Sequence, residues 1–70
     1  MTLEYRNGEI FSLDGHGNGV SWSPEEEIVS LKLVGRTVIV NTKEGHHYEY
    51  DGLTGDFDKE RSSKLVHGRK

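Results

Sequence analysis

Cysteine is absent from this 70-residue chain. That excludes disulfides and thiolate zinc sites as staples, and it fits a reducing compartment. Long apolar runs are missing too. No stretch approaches the ~18 residues that a membrane span needs. The start, MTLEYRNGEI, has no cationic segment followed by an apolar one, as a secretory signal would. The expectation is a cytoplasmic protein that does not enter a membrane. Apolar residues make up only 31% of the chain, and mean hydropathy is −0.73. A chain this short buries only about 60% of its unfolded surface. Its stability must therefore draw on good strand pairing, a partner or self-association.

Neither charge sign dominates, but the distribution is uneven. The net charge is −3. Residues 1–35 carry two basic and six acidic side chains, a balance of −4; residues 36–70 carry seven basic and six acidic, a balance of +1. One domain is expected over residues 1–66, with a flexible basic tail at 67–70. Such asymmetry can steer a partner but does not determine a fold.

What the chain does have is side-chain alternation. Val29, Leu31 and Leu33 alternate with Ser30 and Lys32, the period of a half-buried strand. Thr37–Thr42 is rich in β-branched residues, and His46–Tyr50 forms a third run. A two-residue turn at Gly35-Arg36 pairs Leu33 with Val38, Leu31 with Val40 and Val29 with Thr42. For the next turn, a two-residue loop would set Val40 opposite Glu49, sending an apolar set to the wrong face. A three-residue loop, Lys43-Glu44-Gly45, instead pairs Val40 with Tyr48 and Val38 with Tyr50, with Gly45 at the φ > 0 position of a bulge. The predicted inner rows are Leu33, Val38, Tyr50; Leu31, Val40, Tyr48; and Val29, Thr42, His46. The outer face carries Lys32, Ile39, Glu49, Ser30, Asn41 and His47.

Upstream, Asn7-Gly8 lies between two apolar-containing runs and predicts a hairpin pairing Arg6 with Glu9 and Tyr5 with Ile10. Asp14–Gly19 reads as a glycine-rich loop, and Val20–Trp22 as a short strand carrying the single tryptophan to the core. Ser23-Pro-Glu-Glu-Glu27 reads as a helix start, with Ser23 at the N-cap, Pro24 at N1 and Glu26 completing a capping box. A single helical turn is expected there before strand period resumes; the competing reading is a helix running on through Leu33. After Tyr50, a turn at Asp51–Gly55 precedes a short C-terminal helix, capped by Asp56 or Asp58 and running to about Val66. The predicted fold is mainly β: five or six short antiparallel strands as a meander or partly open SH3-like barrel, closed by that helix.

Two constellations have metal-ligand character. Asp14, His16, Asn18, Gly19 and Glu25 fall at positions 1, 3, 5, 6 and 12 of a twelve-residue window, which resembles an EF-hand calcium loop. His16 departs from that pattern, being a nitrogen donor where a hard cation wants oxygen, and Ser21 stands where an aliphatic residue pairs two loops. The second set is His47, Glu49 and Asp51, which alternation places on one exposed strand face, where imidazole and carboxylates could hold zinc or another divalent metal. The opposing reading is a mobile glycine turn in one case and solvated strand residues in the other. No cofactor is otherwise implied.

No spacing among serines, histidines and aspartates matches a nucleophile–base–orienter set, and no phosphate loop follows a strand. The expectation is that the chain is not an enzyme. Nucleic acid is disfavoured as a partner because the first half is acidic and the expected register buries Tyr48 and Tyr50.

Thr37–Leu53 resembles the central hairpin of KTSC-type small domains: an aliphatic strand, a short glycine turn, Tyr-x-Tyr and a Gly-aliphatic exit. The resemblance covers 17 of 70 residues. The family's later Ser-Gly region is echoed only by Ser62-Ser63, and the N-terminal hairpin has no counterpart. The resemblance implies a small bacterial or phage-associated module without established chemistry. The functional expectation is a non-enzymatic protein-binding module, such as a bacterial or phage accessory or inhibitory factor. It would dock through Glu25, Glu26, Glu27 and Trp22. The alternatives are a metal or small-ligand binder and a structural subunit of a homo-oligomer or phage particle.

Overall fold

The computed structural model describes residues 1–62. Six antiparallel strands form two three-stranded sheets. The first sheet contains β1 (Thr2–Arg6), β2 (Glu9–Leu13) and β3 (Gly19–Trp22); the second contains β4 (Ile28–Val34), β5 (Thr37–Thr42) and β6 (His47–Asp51). Each is a simple meander, so every pairing follows from the turn that precedes it.

The Asn7-Gly8 turn has φ of 51° and 80°, the doubly positive geometry that Asn-Gly tolerates. It aligns Arg6 with Glu9, Tyr5 with Ile10 and Glu4 with Phe11, as expected. The Gly35-Arg36 turn pairs Val34 with Thr37, Leu33 with Val38 and Leu31 with Val40. At the third turn Gly45 has φ 90°. The three-residue loop holds, and Val40 meets Tyr48 while Val38 meets Tyr50.

Two local expectations are corrected. Val29 does not pair with Thr42. The register shifts between Ile28 and Ser30, so Ile28 takes the place opposite Thr42. Val29 becomes the extra residue of a bulge and is 61% exposed. Ile28 and Val29 are both β-branched and apolar, and alternation alone cannot choose between them. The chain chooses Ile28, which packs on the core. The helical turn over Ser23–Glu27 does not form either. That segment is an irregular bend with Glu25 at φ 59°. A positive φ is incompatible with continuing a right-handed turn.

The two sheets share one core. Ile10 from β2, Val38 and Val40 from β5, and Tyr48 and Tyr50 from β6 are buried. Trp22 sits edge-on to Tyr48, Tyr50 and Phe57, with centroids 5.1, 5.5 and 4.9 Å away. Such pairs contribute about 0.5–1.5 kcal/mol each beyond area burial, which matters in so lean a core. Between the sheets, the fully buried Ser12 hydroxyl donates to the Gly52 carbonyl at 2.6 Å.

The outer edge of β6 is closed by the segment that follows it. Asp51 N–H donates to the Asp56 carbonyl at 2.9 Å and Asp58 N–H to the Glu49 carbonyl at 2.8 Å. Asp58 then accepts the Glu60 and Arg61 N–H groups at 3.1 and 3.2 Å, capping one turn. No helix forms among the described residues; the rest of the expected C-terminal helix and the 67–70 tail lie outside them. No helix among the described residues is long and apolar enough to cross a membrane.

Candidate functional site

The glycine-rich loop is shaped by its own aspartate. Asp14 Oδ1 accepts the His16 N–H at 2.7 Å and the Asn18 N–H at 2.9 Å. Asp14 N–H donates to the Asn18 carbonyl at 2.7 Å. This is the local side-chain capping for which Asp is favoured in turns. Glu25 lies beyond β3 on the next connection. Among the described residues, Asp14, His16 and Glu25 do not come together as a set within ligand distance.

His47, Glu49 and Asp51 share the outer face of β6, as the alternation requires. Their partners diverge. His47 Nε2 lies 2.7 Å from Glu49 Oε2, and His47 Nδ1 lies 2.8 Å from Asn41 Oδ1. Asp51 instead takes the Arg36 guanidinium at 2.7 Å and the Leu53 and Thr54 N–H groups. The Leu53 N–H and then Arg36 hold the Asp51 carboxyl below its usual range. An open groove of about 440 Å³ runs beside this face, lined in part by Glu49, Asp51, Asp56 and Asp58, with Arg61 at 3.8 Å from Glu49 and 3.7 Å from Asp58.

A third cluster was not legible in the sequence. Glu26, expected to cap a helix with Ser23, turns inward instead. Its Oε1 lies 2.7 Å from His46 Nδ1, and its Oε2 accepts the Tyr48 hydroxyl at 2.9 Å. The Glu26 side chain is only 9% exposed. Burial pushes its carboxyl up, but hydrogen bonds from His46, Thr42 and Tyr48 outweigh that and hold it below its ordinary value. Tyr48 moves the other way: burial first, then the hydrogen bond and charge of Glu26, push it up to about 12. Glu44, on the turn before His46, completes a group with Glu26 and His46 whose ligand atoms all lie within 4.8 Å of one another. The signal that was available is His46 on the inward side of its strand, two residues from Tyr48. An imidazole there needs a polar partner, but nothing in the sequence says that the partner is twenty residues away.

Of the four expected docking residues, Glu25 and Glu27 are exposed, Glu26 faces His46 and Tyr48, and Trp22 packs in the aromatic cluster. Glu27 lies 3.8 Å from Lys43. Close by starts β4, the outer strand of its sheet among the described residues. It is seven residues long and presents Val29 and Val34 at 61% and 57% exposure.

Comparison with protein-family models, with curated proteins and with solved structures finds no match for this chain. The KTSC-like hairpin therefore remains a likeness of one segment.

Proposed function

We propose that the chain is a non-enzymatic protein-binding module that takes an extended segment of its partner along the edge of β4. The observation that supports this reading is the long, apolar edge strand itself. An outer strand offers a row of backbone N–H and C=O groups to an incoming strand, and exposed side chains such as Val29 and Val34 supply the specificity. Glu25 and Glu27 at its start would favour a basic residue on the partner, chiefly through the rate of encounter. An accessory or inhibitory role in a bacterium or phage suits such a module.

The test is capture from bacterial lysate by the immobilised chain, run beside Val29→Lys/Val34→Lys and Glu25→Lys/Glu27→Lys variants of unchanged melting temperature. A specific partner held by the parent and weakened at least tenfold by the first variant supports the reading. No specific partner, or one that both variants hold equally well, refutes it.

The pattern of β4 favours a second reading, self-association. Ile28-Val-Ser-Leu-Lys-Leu-Val34 is nearly symmetric in type about Leu31. Two antiparallel copies centred on Leu31 would set Ser30 against Lys32 on the outer face, an isologous contact. Light scattering separates the two: a dimeric mass that the valine variant returns to monomer assigns the edge to a second copy.

A further inference from the structure

We propose that Glu26, Glu44 and His46 form a binding site for a divalent transition metal of zinc type. Three features carry this. The first is convergence: two connections far apart in the chain, the β3–β4 bend and the β5–β6 turn, bring one imidazole and two carboxylates within 4.8 Å of one another. The second is the donor set. Imidazole nitrogen and carboxylate oxygen are both donors that zinc takes, and three protein ligands leave a fourth position for water or substrate. Calcium wants six to eight oxygens, and magnesium a near-octahedral oxygen shell; neither is offered here.

The third feature is support from outside the ligand set. Metal-binding carboxylates are normally held by hydrogen bonds of their own. Glu26 Oε2 accepts the buried Tyr48 hydroxyl at 2.9 Å, which leaves Oε1 turned toward His46. The Thr42 hydroxyl accepts the His46 backbone N–H at 3.1 Å, fixing the base of the second ligand. Glu44 is exposed on the three-residue turn and can swing to close the site. Metal bonds to nitrogen and oxygen of about 2.0–2.1 Å require the two atoms roughly 3.3 Å apart in a tetrahedral shell. The 2.7 Å Glu26–His46 contact must therefore open slightly, and the proton it holds leaves as the metal enters.

The set is distinct from His47, Glu49 and Asp51, which lie on the opposite face of β6. That separation makes the assignment testable on the intact chain. Zinc is added to the metal-free protein and followed by equilibrium dialysis and melting temperature, with cobalt(II) as an absorbance probe of coordination. One ion per chain, a raised melting temperature and a low-symmetry cobalt spectrum are expected. Affinity should fall at least tenfold in Glu44→Gln and in His46→Gln, and stay unchanged in His47→Gln. Glu44→Gln is the decisive variant, because Glu44 is exposed and its loss leaves the fold in place. The proposal is overturned if zinc does not bind, if His47→Gln abolishes binding, or if binding survives in Glu44→Gln. Saturation by calcium but not zinc would also overturn it.

Discussion

Tyr48 and Tyr50 are two residues apart on β6, both point inward, and both are almost wholly buried, at 3% and 1% exposure. Removing one hydroxyl from each should nevertheless affect stability differently, with a loss at Tyr48 and none at Tyr50. The Tyr48 hydroxyl donates to an ionised carboxylate at 2.9 Å. Hydrogen bonds to charged groups contribute about 1.5–3 kcal/mol. Glu26 keeps its contacts to His46 and Thr42 when Tyr48 is lost, so Tyr48→Phe should sit near the lower end, about 1.5–2 kcal/mol. The Tyr50 hydroxyl is buried and has no hydrogen-bond partner among the described residues. A buried, unpaired polar group carries a desolvation penalty of about 1–3 kcal/mol. Tyr50→Phe removes that penalty without opening a cavity and should be neutral or stabilising by up to about 1 kcal/mol. For a domain of this size 1 kcal/mol moves the melting temperature by about 4–8 °C. Circular dichroism should therefore place Tyr48→Phe roughly 6 °C or more below the parent and Tyr50→Phe level with or above it. The Tyr48→Phe deficit should also shrink in acid. The Glu26 carboxyl is depressed in the folded state, so its contribution is present above its unfolded value of 4.5 and lost as pH falls through the folded one. A Tyr50→Phe loss as large as that of Tyr48→Phe would refute the reasoning.

Two further outcomes follow from the same core. Ser12→Ala leaves the Gly52 carbonyl without the 2.6 Å donor that bridges the sheets and should cost about 1–3 kcal/mol, against less than about 0.5 for the exposed Ser21→Ala; equal melting temperatures would remove Ser12 as the link. In alkali, Tyr48 and Tyr50 are both pushed up to about 12, so the protein is favoured by their neutral forms below the unfolded value of 10 and loses that stability as pH rises toward 12. Tyrosinate absorbance of these two rings should therefore appear together with unfolding; ionisation of both in a still-folded chain would contradict their burial.

The fold was legible where the information is local. Asn7-Gly8 specifies its turn because only residues tolerant of φ > 0 close a two-residue hairpin. Gly45 does the same for a three-residue loop, and once the turns are set, period-2 alternation leaves one register that buries Val38, Val40, Tyr48 and Tyr50 together. The acidic bend departs from its local signal for a physical reason. Ser23-Pro-Glu-Glu carries a helix-start signature, but β-branched Ile28 and Val29 follow it directly, Glu25 takes φ 59°, and the Glu26 carboxylate bonds His46 and Tyr48. The bulge at Val29 was likewise beyond reach, since Ile28 and Val29 have the same propensity and polarity.

By itself, then, the amino-acid order determines the strands, their turns and the pairing within each meander, because those depend on neighbours a few residues apart. Tertiary structure decides which of two equivalent valine-like residues enters the core, how Ser12 joins the sheets, and where the glutamates point. Glu26 shows the reason most plainly. A carboxylate is directed by whichever donor the packed chain brings within about 3 Å, and here the two donors come from residues 46 and 48, across the intervening β4–β5 hairpin.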